Sequence, residues 1–152
     1  MQAQRSERRP DRNETFSGSI EFTIPVDLAA WQNRRTTQAE AMSAASVLIK
    51  YAATEALAGR DPIACPVHLT ILAFFLPPGA AKFRRGDLCH TGRPDTDSVA
   101  AVIMSALDGI AWKQRGQVAE LLVMKRYGPR PGVAVVIEPA DDLMTMATAG
   151  EA

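Results

Sequence analysis

The chain has 152 residues, of which 47% are hydrophobic and 22% charged, with 17 basic and 17 acidic side chains. That length and apolar content predict one soluble domain with a sizeable core, and the charge balance excludes a partner chosen by net charge alone. No apolar run approaches the roughly 20 residues of a membrane-spanning helix. Cys65 and Cys89 are the only cysteines; without Cys-x-x-Cys spacing or a signal-like start they read as reduced thiols of a cytoplasmic protein. His68 and His90 add too few ligands for a zinc site. The pair Cys89-His90 reads as packing, because adjacent side chains point apart and no partner base is evident.

In chain order, residues 1–17 carry Arg5, Arg8, Arg9 and Arg12 without apolar periodicity and are expected to form a flexible arm. Polar and apolar residues then alternate to Pro25, which predicts a half-buried strand over 18–24. Thr36 or Thr37 opens a predicted helix that runs to about Ala58 and stops at Gly59, with Ala41, Ala45, Leu48, Ile49, Ala52 and Ala56 on its buried face. A second strand is expected over 67–76, closed by Pro77-Pro78-Gly79. Residues 80–93 form a connector long enough to be a functional loop. The spacing of Val99, Val102, Ile103, Ala106, Leu107 and Ile110 predicts a helix that Asp95 can cap and that Asp108-Gly109 ends. Strands follow over 117–127 and 133–138, with antiparallel pairing expected across the Gly-Pro-Arg-Pro-Gly turn between them. Residues 140–152 are expected to be a flexible tail. This order predicts a single domain over 18–139, an α/β (α+β) two-layer sandwich: a mixed sheet of about four strands with two main helices on one face.

Charge is unevenly placed. Thirteen of the seventeen bases are arginine, a side chain suited to bidentate phosphate contacts and also enriched by GC-rich coding. Between Lys82 and Arg130, nine bases meet five acids, a local excess of four positive charges that would let the middle of the chain face a polyanion.

The most informative stretch is Gly92-Arg93-Pro94-Asp95-Thr96-Asp97-Ser98, which leads into the second helix. Two carboxylates at one helix start can converge on a hard cation that keeps waters for a phosphate. Acidic residues are also favoured there simply as caps, so the pattern by itself leaves both readings open.

Taken with Ser105-Ala106-Leu107-Asp108-Gly109-Ile110-Ala111-Trp112-Lys113, Gly116-Gln117-Val118-Ala119-Glu120-Leu121 and Lys125-Arg126-Tyr127-Gly128, that stretch resembles the RusA-type Holliday junction resolvase family. The family pattern has Lys-Pro-Asp-x-Asp-Asn, a helix ending Asp-Ala-Leu-Asn-Gly, and Asp-Asp-x-Gln-Val-x-Glu at the next strand. The resemblance covers about residues 19–139. It implies a homodimeric crossover junction endodeoxyribonuclease, dependent on Mg²⁺ or Mn²⁺, that nicks branched DNA symmetrically in recombination and repair and is usually encoded by bacteria or their phages. Asp95 and Asp97 match the first two family aspartates and are the expected catalytic metal ligands.

The departures fall at polar positions. Where the family has two aspartates before x-Gln-Val this chain has Gln114 and Arg115, and a guanidinium cannot ligate a cation. The asparagine after the second aspartate is Ser98, the basic residue a turn later is Ala101, and the aspartate before Ala-Leu is Ser105. Three functions follow as expectations. One is a working resolvase whose site is completed by Glu120, Asp87 or Asp108. Another is a resolvase-like protein that binds branched or duplex DNA without efficient cleavage. The third is an interaction module in which Asp95 and Asp97 are only caps. The expected DNA-binding bases are Lys82, Arg84, Arg85, Arg93, Lys113, Arg115 and Arg126.

Overall fold

A computed structural model of the protein describes residues 18–29, 38–79 and 88–140. Four strands, β1 (Ile20–Ile24), β2 (Val67–Phe75), β3 (Val118–Tyr127) and β4 (Gly132–Pro139), form one mixed sheet in the order β1-β4-β2-β3. The pairs β1–β4 and β4–β2 are antiparallel, whereas β2–β3 is parallel. Two helices, α1 (Gln38–Leu57) and α2 (Thr96–Leu107), cover one face, α1 against β1 and α2 against β3. This is the two-layer α+β sandwich the element order predicts. No helix among the described residues is long and apolar enough to cross a membrane.

Burial follows the pleat. Along β2 every second residue from Val67 to Phe75 is buried, and Val133, Val135 and Ile137 of β4 continue the same covered face. The helices close this core with Ala45, Ile49, Ala53 and Leu57 from α1 and Val99, Val102, Ile103, Ala106 and Leu107 from α2. The stripe on α1 has strict i, i+4 spacing, which leaves Leu48, expected on the buried face, 45% exposed and Ala52 and Ala56 at its margin. Ala41 and the Thr36/Thr37 helix start lie outside the residues whose side chains are described. At the other end the helix stops as expected: Gly59 takes a positive φ of 78°, and Arg60 donates to the free carbonyls of Leu57 and Ala56 at 3.0 and 3.2 Å.

The helix after Asp95 stops at the expected Asp108-Gly109 signal, and only Ile110, counted in its apolar spacing, falls beyond its end. It ends at Leu107, and Gly109 at φ 78° turns the chain so that Ile110 and Ala111 donate back to the Leu107 carbonyl at 3.0 and 2.9 Å. Trp112 is thereby carried into the core, fully buried, with its indole N–H donating to the Asp108 carboxylate at 3.2 Å.

The hairpin expected between the last two strands does not form. β3 and β4 run in opposite directions but β2 lies between them, and the Gly128 N–H donates to the Phe75 carbonyl at 2.9 Å as the connection passes the end of β2. Pro129 and Pro131 lack the N–H groups of a tight turn, and β2, alternately buried along its whole length, needs a hydrogen-bonding partner at each edge.

Candidate functional site

The site is built where the chain returns from β2 to α2. Residues 88–90 run antiparallel to the end of β3: the His90 N–H donates to the Lys125 carbonyl at 3.1 Å, the Tyr127 N–H donates to the Leu88 carbonyl at 2.8 Å, and Cys89 bridges to Arg126. This short fringe lies against the outer edge of β3 and aims the following residues at the start of α2. The Arg93–Pro94 peptide is cis, and Pro94 is buried while Arg93, Asp95 and Asp97 are exposed.

Lys125 anchors the turn. β3 alternates Val123, Lys125, Tyr127 onto the helix-covered face, so Lys125 is directed inward and is only 8% exposed. Its ammonium donates to the carbonyl oxygens of Gly92 at 2.6 Å and Pro94 at 2.8 Å. A buried ammonium is costly unless its donors are satisfied, and here two backbone carbonyls satisfy it. The residue after Pro94 is Asp95, so the strand lysine holds the backbone from which the first carboxylate projects.

His90 packs the other side of this anchor. Its ring stacks on Phe75 with centroids 3.8 Å apart and planes 10° from parallel, and meets Tyr127 edge-on at 5.2 Å. Burial, and secondarily the Lys125 ammonium, lowers its pKa below the usual value, so the ring is held neutral. Its Nδ1 is buried without a hydrogen-bond partner. Cys89 is exposed and free, in keeping with a packing role for His90 rather than a thiol–imidazole pair.

Asp95 occupies the N-cap position of α2 with extended backbone (φ −72°, ψ 160°), and its carbonyl accepts the first helical bond from the Val99 N–H at 3.1 Å. Its carboxylate makes no cap hydrogen bond. Asp97 lies in the first turn, also exposed. The Asp95 carboxylate is thus not spent on a cap hydrogen bond, while Asp97 stands where an acidic side chain also favours the helix macrodipole. Two exposed carboxylates beside free N–H groups are a suitable donor set for a hard, partly hydrated divalent cation.

The remaining expected residues are dispersed. Asp97, Ala101 and Ser105 share one exposed stripe of α2, and at its far end an Arg115 guanidinium N–H donates to the Ser105 hydroxyl at 3.4 Å. Asp97 and Ser105 are two turns apart, about 12 Å along the axis. Three of the positions that depart from the family pattern, residues 101, 105 and 115, therefore lie along one surface. Asp108 is engaged by Trp112. Glu120 is elsewhere: its carboxylate is 2.7 Å from His68 Nδ1, on the sheet face without helices, and Lys125 lies about 16 Å further along the same strand. Arg126 also projects to that open face, paired in register with Phe74. Lys82, Arg84, Arg85 and Asp87 lie outside the described residues. Among the described residues no group of three or more His, Cys, Asp or Glu is placed to hold a metal ion.

Two residues of structural weight were not foreseen. Lys125 was legible as the one lysine at a core-facing position of a strand. Gln117, in the 3-10 turn Arg115–Gln117, accepts from the Lys113 and Gln114 N–H groups at 2.9 Å each and donates to the Ile63 and Cys65 carbonyls at 2.7 and 3.1 Å. The glutamine of the Gln-Val motif is thus a latch joining three segments; nothing local in the sequence announces partners more than fifty residues away.

No curated protein matches the chain. The family model described as Endodeoxyribonuclease RusA matches residues 6–138, most of the chain. With that match spanning both carboxylates at the start of α2 and the strand that holds them, the chain belongs to the RusA endodeoxyribonuclease family.

Proposed function

We propose that this protein is a Holliday junction resolvase-like endodeoxyribonuclease that binds branched DNA at the α2 start and hydrolyses a phosphodiester there, with Asp95 and Asp97 holding Mg²⁺ or Mn²⁺. The observation that carries this reading is the pair of exposed carboxylates at the head of α2, the first of them at the cap position yet making no cap bond. A bound divalent cation supplies Lewis acidity toward a phosphate oxygen and a more acidic water. The protein's own groups orient the substrate: the α2 N–H groups favour an anion, exposed Arg93 offers a guanidinium to a phosphate, and Lys125 keeps the turn from shifting. Two copies are needed for paired nicks, so the active form is a two-fold dimer.

A second reading is favoured by the α2 stripe. Arg115 at Ser105, with Ala101 between it and Asp97, gives a surface that attracts phosphate, and among the described residues no group of three or more metal-ligating side chains forms. On that reading the protein binds junctions and cuts them poorly.

A labelled four-way junction incubated with the protein and Mg²⁺ or Mn²⁺ separates the two. Symmetric nicks that disappear with Asp97→Asn support the nuclease. Tight, structure-selective binding without product supports the second reading, and absence of binding at low salt refutes both.

A further inference from the structure

β1 is one edge of the sheet: β4 pairs with one side of it, and among the described residues no strand pairs with the other. Every second residue of β1 therefore turns its N–H and C=O toward the free side, a row of backbone groups that an extended chain can continue. α1 borders the same strand. Beside its buried stripe it carries Leu48, 45% exposed, and Tyr51, 68% exposed, one turn apart, with Val47 next to them at 64%. Single exposed apolar residues are ordinary on a surface, but three together beside an unpaired strand edge form a patch that the fold does not use. Strand and helix enclose a groove of about 510 Å³ whose lining includes Glu21 and Phe22 of β1 and Leu48, Tyr51 and Glu55 of α1. Both charged groups of that lining are carboxylates, and Lys50 of the same helix lies outside it.

We propose that this groove takes an extended segment of another protein as an added strand on β1, a segment in which apolar residues alternate with arginine or lysine. The pleat sets the alternation. Ile20 and Ile24 are buried and Phe22 packs half-buried against the same core, whereas Glu21 between them is exposed. A strand added at the free edge keeps that pleat, so every second side chain enters the groove against Phe22, Leu48 and Tyr51, and those between stand beside Glu21. Charge complementarity selects the class of partner: Glu21 and Glu55 favour cations opposite them and repel an acidic strand. Among the described residues neither carboxylate is ion-paired, and Glu21 accepts only from the Ser19 hydroxyl, at 3.3 Å. Pro25 follows the five residues of β1 and closes the usable edge, so the strand reads about as many residues of its partner.

The groove stands apart from the start of α2. β4 and β2 separate β1 from β3, roughly 14 Å across the sheet, so the added strand holds a partner without covering Asp95 or Asp97. The association needs neither metal nor DNA.

The test titrates the full chain into a fluorescein-labelled peptide of alternating arginine and valine and reads fluorescence anisotropy, without DNA or metal. Saturable binding below about 1 mM is expected, with the amide NMR signals of Ile20–Ile24 and residues 47–55 shifting. A peptide of alternating glutamate and valine should not bind. Glu21→Arg and Glu55→Arg in one chain should reverse that choice, weakening the arginine peptide by about tenfold and admitting the glutamate peptide. Tyr51→Ser should weaken binding of the arginine peptide by a similar factor while circular dichroism stays unchanged. Absence of saturable binding, equal binding of the two peptides by the parent, an unchanged choice in the charge-reversed variant, or signals that shift only elsewhere would each overturn the proposal. So would binding that appears only after Arg8→Glu and Arg9→Glu, which assigns the groove to the chain's own residues 1–17, or a solution mass that Tyr51→Ser lowers, which assigns it to a second copy. Junction cleavage is not read, so failure of the nuclease reading leaves the peptide result standing.

Discussion

The ammonium of Lys125 lies 2.8 Å from the carbonyl oxygen of Pro94, the residue immediately before Asp95. A side chain in the middle of a strand thus sets the position of a carboxylate at the start of a helix, and stability and function are coupled through it. Lys125→Met keeps the apolar stem but leaves two carbonyls without their donor, which costs about 1–3 kcal/mol. Denaturant unfolding should show that loss, and junction affinity should fall with it. Lys125→Arg should not restore function, since a planar guanidinium cannot take the place of a compact ammonium in this turn.

Asp95 and Asp97, unlike Lys125, should separate function from stability. Because the Asp95 carboxylate makes no cap bond and Asn is as good an N-cap residue, Asp95→Asn and Asp97→Asn should change stability by no more than about 0.5 kcal/mol. Metal-supported cleavage should drop at least a hundredfold in either variant. A large fall in melting temperature with cleavage retained would return both residues to a capping role.

Arg115 separates phosphate binding from metal binding. Its guanidinium is exposed and reaches Ser105, so Arg115→Asp should leave the fold intact. If it contacts one phosphate, the log–log salt slope of duplex binding should flatten by about 0.9. Cleavage should not rise, because the new carboxylate would stand near Ser105 rather than beside Asp97. Titration of junction affinity against salt, with parallel cleavage assays, decides this; a gain in cutting abolished by Asp97→Asn would place residue 115 within the metal site.

His90 should make the turn sensitive to acid. Its folded pKa lies below the usual 6.5, because burial and then the Lys125 ammonium disfavour the charged ring. The unfolded chain therefore binds the proton more readily, so this contribution is complete above about 6.5 and is lost as pH falls through that value toward the folded pKa. The protection factors of the His90 and Tyr127 amides, measured against the slower intrinsic exchange at lower pH, should fall on acidification. His90→Phe, which keeps the stack on Phe75, should remove that part of the pH dependence.

The amino-acid sequence by itself determined which segments become strands and helices, where Gly59 and Gly109 end the two helices, and which family the motifs around Asp95, Asp97 and Gln117 belong to. These are local properties: alternation, helical spacing, glycine at positive φ, and residue types at fixed offsets. Tertiary structure decided the rest, because it rests on contacts between residues far apart in the chain. The expected pairing of the last two strands gives way to β2 between them, since Val67–Phe75 must satisfy backbone groups on both edges. Glu120, one of the carboxylates expected to complete the metal site, joins His68 on the open face because the parallel β2–β3 register puts them side by side. Lys125 passes from one base among many to the buried anchor of the site because the pleat of β3 turns it inward, where only the Gly92 and Pro94 carbonyls can receive its charge.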